Sequence, residues 1–401
     1  MQVLEGAVLS QKSAETVRAT LPAVAEAIDT VTDLFYRRLF AAHPELERHL
    51  FNRGNQASGT QRRALAGSIA AFATALVTPG AQSPDGMLSR IAHKHASLGI
   101  APDQYEIVHT HLFAALGEVL GDAATEDVVA AWDEVYWLMA QALTAAEGEL
   151  YAERGLTPGT PEETWRTWEV TERVEETADV ATFRIRPADG RPAPGFRAGQ
   201  YVSVRVELAD GARQIRQYSL SGAPGDPEHA ITVKREQRPD APAGEVSHHL
   251  HSHVRPGSRL AVSAPFGDLV LHDDAPDTPV LLASAGIGCT PVQAMLHHLV
   301  DRGHQGPVLS LHTDRSPGTH ALRAGRELLL TKLADGRAHT WYTERDGHMN
   351  LADVDLPEGL RAYLCGPVPF MRTLRDQLLE RGVAAERIHY EVFGPDLWLA
   401  H

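Results

Sequence analysis

An imidazole on a helix that faces an apolar slot can hold a metal ion, and the run Ile91-Ala92-His93-Lys94-His95 offers two candidates. On a regular helix, side chains two residues apart point about 160° away from each other, so His93 and His95 cannot share one slot. Upstream, Tyr36 and Gln61 carry a phenol and a carboxamide that can donate hydrogen bonds to a ligand gathering negative charge. Phe51 and Leu65 add apolar surface near them in sequence. A second set lies far downstream. Arg216-Gln217-Tyr218-Ser219 combines a guanidinium, a flat aromatic face and a hydroxyl. Gly286-Ile287-Gly288-Cys289-Thr290-Pro291 follows a short apolar run and precedes a helical one, the context a dinucleotide phosphate loop needs. It is not Gly-x-Gly-x-x-Gly, so it does not indicate the ordinary Rossmann fingerprint. Cys365-Gly366-Pro367 sets a thiol before a turn. The first set suits a metal centre; the second suits a planar redox ring with phosphates.

The elements that position these residues change character along the chain. Residues 1–152 read as all helix. Apolar side chains recur at helical spacing in Val24, Ile28, Val31, Leu34 and Phe35, and again in Ile107, Leu112, Leu116 and Val119. Pro44 and the Gly54 region mark breaks, and alanine-rich stretches (64–75 and 140–146) favour helix. Residues 153–164 hold two prolines and two glycines and read as a linker. From 165 to 270 the pattern has period two, as in Val180–Ile185 and Tyr201–Val206, which predicts a small antiparallel barrel. From 271 to 401, strand runs (Val280–Ser284, Val308–His312, Ala362–Cys365) alternate with turns and helical stretches, which predicts a parallel α/β domain.

Composition narrows the function classes. A chain of 401 residues exceeds one ordinary core, so two or three domains are expected. The formal net charge of −15 argues against nucleic acid or an anionic membrane surface as partner. No secretory signal or spanning segment is visible, and no obligate protein partner is evident. Two cysteines, Cys289 and Cys365, cannot make a disulfide framework. They sit in Gly/Pro-rich motifs typical of loops, which suits a reducing cytoplasm. The 21 histidines dilute any single one. His109 and His111 are alternatives of the ordinary surface or core kind. His248-His249-Leu250-His251-Ser252-His253 looks like a metal tract but lacks a complete ligand pattern, and reads instead as a helix capping the barrel.

Taken together, Phe35-Tyr36-Arg37-Arg38-Leu39-Phe40, His43-Pro44-Glu45-Leu46, Leu50-Phe51-Asn52, Gln61, Leu65 and Lys94-His95 resemble the globin domain of flavohaemoglobins. The resemblance implies that His95 is the proximal ligand of haem b iron, that Phe51 packs on the porphyrin, and that Tyr36, Gln61 and Leu65 line the distal face. It places Tyr105 and Glu147 behind the ligand, engaging its other ring nitrogen. A carboxylate there raises ligand basicity and pushes electron density to iron. Lys94 matches a residue set between haem and flavin; read alone, it is a surface lysine.

The second half is similar to the same family's ferredoxin–NADP reductase-like module. Gly199-Gln200-Tyr201, Arg216–Ser219, Val233-Lys234-Arg235-Glu236 and Gly244-Glu245-Val246-Ser247 fall in the family's order. The resemblance implies FAD held by Tyr201, Arg216, Gln217, Tyr218, Ser219, Gly244, Val246 and Ser247. It implies NAD(P)H held by Gly286, Ile287, Gly288, Cys289, Thr290 and Pro291, with Cys365, Gly366 and Pro367 beside the nicotinamide. Tyr390-Glu391-Val392-Phe393-Gly394-Pro395 matches the flavin-covering tail; Val392 stands where some members carry cysteine.

The whole chain thus resembles a flavohaemoglobin. The reaction this implies is nitric oxide dioxygenation: NAD(P)H gives a hydride to FAD, FAD passes single electrons to haem, and nitric oxide and dioxygen become nitrate. Alternatives are an alkyl hydroperoxide or anaerobic nitric oxide reductase using the same cofactors, an oxygen-carrying or gas-sensing globin, and a plain flavin reductase with a haem-free globin. NADH and NADPH are not distinguished, because Asp314 could hold a ribose hydroxyl and Arg315 a phosphate.

Overall fold

The computed structural model describes residues 8–81, 83–237, 242–272 and 274–394. The chain divides into two compact units. The first comprises the described residues up to Trp165 together with Glu207–Ile215; the second comprises Arg166–Val206 and Arg216–Gly394.

The first unit is helical: α1 (Gln11–Ala42), α2 (Pro44–His49), α3 (Arg53–Ala57), α4 (Thr60–Val77), α5 (Asp85–Leu98), α6 (Gln104–Leu120), α7 (Glu126–Arg154) and α8 (Pro161–Thr164). Side-chain caps start several of them. Ser10 accepts from the Ser13 N–H, Asn52 from that of Asn55 and Thr125 from that of Val128, each satisfying a donor the helix cannot. Pro44 opens α2, where a missing N–H costs nothing. The Gly54 region does mark breaks: α2 ends at His49, Gly54 lies in the short α3, and Gly59, at φ 70°, separates α3 from α4. Gly99 adopts φ 78° and ends α5 one turn after His95. A Cβ on Gly99 would stand 2.6 Å from the Thr164 hydroxyl oxygen, so α8 packs tightly on this corner. The predicted linker is irregular only in its middle: α7 runs on to Arg154, and 161–164 form a helix held in the helical unit. The Glu207–Ile215 segment joins the same unit through Gln214, which is fully buried. Its amide Nε2 lies 3.2–3.3 Å from the carbonyl oxygens of Glu47, Arg48 and Phe51, and its Oε1 accepts from the Arg53 N–H.

The second unit holds two sheets, apart from Glu207 and residues 213–215 of the first sheet, which belong to the helical unit. β1 (Arg166–Glu175), β2 (Val180–Pro187), β3 (Tyr201–Glu207), β4 (Arg213–Ser219), β5 (His229–Lys234) and β6 (Arg259–Val262) form one, in the order β4-β3-β6-β1-β2-β5. An antiparallel bridge, Leu220↔Ile231, links the ends of the order, as a barrel requires. Trp168, Phe183, Ile185, Ile231 and Phe266 fill its interior. α9 (Glu245–His253) lies beside β5. The other sheet is parallel, in the order β11-β10-β7-β8-β9, from β7 (Val280–Ala285), β8 (Pro307–Asp314), β9 (Asp335–Tyr342), β10 (Arg361–Cys365) and β11 (Ile388–Glu391). Connections run through α10 (Cys289–Asp301), α11 (Arg323–Leu330), α12 (Thr343–Asp346) and α13 (Val368–Glu380). β9 and β11 are strands that the apolar-run reading does not predict; neither is a continuous buried run.

Buried histidines make this unit acid-sensitive. Burial lowers His229 and His389 to about 4, with His272 and Arg361 adding to the effect at His389. Both are neutral when folded and bind protons more readily when unfolded. Stability is therefore full above pH 6.5 and falls as pH drops toward 4, by about 1.4 kcal/mol per pH unit for each proton involved. Denaturant midpoints of the second unit's signal should decline across this window, and a flat profile would contradict the burial argument.

Candidate functional site

Three helices meet behind His95. Its Nδ1 lies 2.8 Å from Glu147 Oε1 on α7 and 3.0 Å from the Tyr105 hydroxyl on α6. Tyr105 donates to the same Glu147 oxygen at 2.6 Å. Glu147 is only 2 % exposed, and its Oε2 has no hydrogen-bond partner among the described residues. Burial and then the Glu147 charge hold Tyr105 well above the usual phenol range, so it stays a donor. With Nδ1 committed, Nε2 is the ring nitrogen left that could meet a metal ion. An imidazole tied to a buried carboxylate fits a strongly basic axial ligand.

His93 sits elsewhere. Burial, then Arg154, lowers it to about 4, and the hydrogen bonds of Tyr105 and Glu147 go to His95. The two-residue offset thus separates the pair as helix geometry predicts. His109 is bonded to Asp133 (2.6 Å) and stacked on Phe113 and Trp137, and His111 packs edge-on against His43.

Tyr36, on α1, is buried among Phe35, Phe40 and Phe51, with ring centroids 4.7–5.8 Å away. Burial pushes its hydroxyl up, while the carboxamides of Gln61 and Gln56 work against that shift. A neutral phenol flanked by carboxamides is a donor set suited to a polar gas ligand. Gln56 is a site residue that the sequence reading misses; it lies in a short turn-like helix that carries no motif. Leu65 is half-buried one turn beyond Gln61 on α4, and Lys94 is half-buried on α5.

In the second unit, β4 carries Arg216, Gln217, Tyr218 and Ser219. Gln217 donates to Ser203 Oγ on neighbouring β3 (2.9 Å), and burial holds Tyr218 above the usual phenol range. Tyr201 opens β3 and receives Gly267 against its ring, where a Cβ would come within 3.0 Å. Gly244 caps α9, and Val246 and Ser247 lie in its first turn. Ser247 Oγ accepts from the Glu236 N–H and donates to the Gly244 carbonyl, tying Glu236 to the helix start. The histidine run is indeed on α9. His251 pairs with the Val233 carbonyl (2.9 Å) and His248 with that of Glu236 (3.0 Å). Among the described residues, no group of three or more His, Cys, Asp or Glu could hold a metal ion.

The parallel sheet aligns the nucleotide motifs. Ser284, Cys365 and Glu391 are register partners at the carboxyl ends of β7, β10 and β11. Ligands bind outside these ends in open α/β sheets. Gly286, Ile287 and Gly288 form a 3-10 turn, and Cys289, Thr290 and Pro291 open α10. Gly288 is there because nothing larger fits: its Cβ would lie 2.2 Å from the Cys365 carbonyl oxygen. Gly366 is similarly crowded by Ala285 and Phe370 at 2.9 Å, and Pro367 caps α13. The cysteines sit at element ends, not in free loops: Cys289 begins α10 and Cys365 ends β10. Burial pushes Cys289 up to about 12 and Cys365 well above the usual thiol range, so both are protonated and poor nucleophiles. Val392 is buried, Phe393 is 44 % exposed, and Gly394 takes φ 99°. Pro395 lies outside the described residues.

Asp314 ends β8, but its Oδ1 is committed to the Arg315 N–H (2.7 Å) and the Thr319 hydroxyl (2.6 Å), and its Oδ2 is 3.6 Å from His312. A ribose hydroxyl would have to compete with those partners.

Known proteins match both units. A globin profile matches residues 33–143, and an oxidoreductase FAD-binding domain profile matches residues 167–271. The flavohemoprotein of Chromobacterium violaceum is 42 % identical, with 96 % of this chain and 98 % of that protein covered. That of Rhizobium meliloti is 39 % identical, over 97 % and 99 %. Among solved structures, the flavohemoglobin of Malassezia yamatoensis with bound FAD and heme has a TM-score of 0.85 at 36 % identity, covering 96 % of this chain and all of that one. The flavohem-like FAD/NAD-binding domain of a nitric oxide dioxygenase from Vibrio cholerae has a TM-score of 0.55 at 39 % identity, covering 58 % of this chain and all of that one. With a proximal-type His–Glu–Tyr cluster in the helical unit and nucleotide loops in the other, this chain belongs to the flavohaemoglobin family.

Proposed function

We propose that this protein is a nitric oxide dioxygenase that uses NAD(P)H, through FAD and haem b, to turn nitric oxide and dioxygen into nitrate. At the coarser level it is a haem–flavin oxidoreductase. The observation that carries the finer reading is the His95–Glu147–Tyr105 cluster, because an oxygen carrier has no need of an anionic ligand partner that pushes electron density to iron. Haem supplies a one-electron centre that binds diatomic gases, and FAD splits the hydride pair into single electrons.

The chain's own residues do the rest. Glu147 accepts the His95 N–H and keeps the imidazole oriented; Tyr105 holds Glu147 in turn. Tyr36, with Gln61 and Gln56, offers hydrogen bonds to the gas ligand, while Phe51 and Leu65 exclude water. Arg216 and the first turn of α9 hold flavin phosphates, Tyr218 and Tyr201 pack its ring, and Ser219 reaches its edge. Gly286–Pro291 and Cys365–Pro367 receive the nicotinamide nucleotide, with Glu391 and Phe393 beside the flavin. Lys94, beside His95 on α5, belongs to the haem pocket. The small molecules dioxygen and nitric oxide are its partners, and two buried free thiols fit a reducing cytoplasm.

The deciding experiment is anaerobic mixing of ferric holoprotein with NADH or NADPH, followed by oxygen and nitric oxide. Iron reduction and stoichiometric nitrate are expected. Turnover of alkyl hydroperoxides without nitrate would favour the peroxide reductase, and no nucleotide consumption would favour a carrier or sensor. Glu147→Gln keeps the shape but removes the charge, and should lower nitrate turnover by about 10- to 100-fold while raising the iron reduction potential. Tyr36→Phe removes a donor worth about 1 kcal/mol and should speed dioxygen loss several-fold in stopped flow; an unchanged off-rate would remove its role.

A further inference from the structure

An aromatic series leads away from the His95–Glu147–Tyr105 cluster, and dioxygenation does not use its outer members, Tyr136 and Trp137. Tyr105 stands beside His95, with ring centroids 6.1 Å apart. The Tyr136 hydroxyl donates to the Tyr105 carbonyl oxygen at 2.6 Å. Trp137 follows, its indole edge-on to Tyr136 with centroids 5.2 Å apart, and it is partly exposed. On its other side the indole stacks on His109 (5.1 Å, 29°), whose Nε2 is 2.6 Å from Asp133. Tyr151 also faces Glu147, but it is 2 % exposed and its hydroxyl is tied to the Ile100 carbonyl, so that branch does not reach solvent.

We propose that Tyr105, Tyr136 and Trp137 form a relay that carries an oxidising equivalent from the iron site to the surface when the enzyme meets a peroxide. This rests on the haem reading above. Phenols lose an electron readily only when the proton can leave with it. Tyr105 has a carboxylate oxygen at 2.6 Å for that proton, and Glu147 Oε2 has no other hydrogen bond among the described residues to oppose protonation of the carboxyl. An indole can lose an electron and keep its proton for a time, and the Asp133-paired imidazole stacked on Trp137 stabilises the positive charge.

A hydroperoxide takes two electrons and two solvent protons, its O–O bond breaks, and an alcohol and water leave. When bound, the flavin would supply one of these electrons. Tyr105 supplies the other and passes its proton to Glu147. Trp137 then returns an electron to Tyr105 by way of Tyr136, and the proton moves back from Glu147. Trp137 is left one electron short, releases its indole proton to solvent, and is restored by an external one-electron reductant of the ascorbate class, which brings back the electron and allows reprotonation. The relay thereby spares the porphyrin from oxidising itself.

The test is freeze-quench electron paramagnetic resonance of the full-length holoprotein mixed with hydrogen peroxide, with haem loss followed at the Soret band. Wild type should show an indole or phenoxyl radical. Trp137→Phe, which keeps the stack on His109, should lose the indole signal and bleach several-fold faster. Trp137→Tyr, redox-active again, should restore slow bleaching, whereas a packing role would be served equally by Phe. Nitrate turnover should be the same in all three. No protein radical in wild type, or identical bleaching in Trp137→Phe, overturns the relay. A normal radical without nitrate production would instead count against dioxygenation alone, and the absence of any Soret band would overturn both.

Discussion

His95→Ala is expected to yield a yellow protein: flavin absorbance retained, Soret band lost, and reduction of FAD by pyridine nucleotide intact. The substitution removes the imidazole that the Glu147–Tyr105 pair orients. It also leaves a carboxylate that is 2 % exposed with one partner fewer. Losing a partner from a buried polar group costs about 1–3 kcal/mol, so the helical unit should melt earlier as well as fail to retain haem. Absorption spectra, flavin reduction rates and thermal melting of the purified variant check these expectations. Haem retained at wild-type stoichiometry would mean that another residue, His93 first, ligates iron. Burial of His93 against Arg154 argues against that outcome.

Gly288→Ala is expected to block the opposite end of the electron path. The added Cβ would stand 2.2 Å from the Cys365 carbonyl oxygen, 2.6 Å from its carbon and 3.0 Å from the Gly366 nitrogen. All three are backbone atoms at the carboxyl end of β10, so relief requires the strand end and the phosphate loop to part. Overpacking of this kind costs about 1–3 kcal/mol, and the displaced atoms are those assigned to the nicotinamide. NAD(P)H-driven flavin reduction should fall by orders of magnitude, while chemically reduced flavin should still pass electrons to haem. Gly286→Ala is the informative comparison. Gly286 has φ 52° and open space around its Cβ direction, so only left-handed backbone strain of about 1–2 kcal/mol opposes the change. If the two variants reduce flavin equally slowly, steric contact with Cys365 is not what demands glycine at 288.

Much of this molecule is written in local pattern. Helical spacing around Val24–Phe35 and Ile107–Val119, period-two strands at Val180–Ile185 and Tyr201–Val206, and the apolar run before Gly286 all depend on neighbours within a few residues. A side chain's preference for helix or strand acts over that range. Strands β9 and β11 are less legible because one lies half-exposed and the other is short and mixed, so neither announces itself by an unbroken apolar run. The packed corner at Thr164 is also hidden from local pattern, since proline and glycine advertise a connector without saying what it rests against.

The chemical groupings belong to a different scale. The sequence by itself determined the donors available, namely one imidazole of a helical pair, a phenol, carboxamides, a Gly-rich turn and a thiol before Gly-Pro. Only the tertiary structure decided that Glu147 meets His95 across 52 residues, that Gln56 joins Tyr36, that Gln214 fastens onto the carbonyls around Phe51, and that Ser284, Cys365 and Glu391 form one row. It also decided that Asp314 is occupied by its own loop. Contacts between residues far apart in the chain depend on helix packing and strand register, which no short window encodes, because their free energy exists only once the intervening chain has closed.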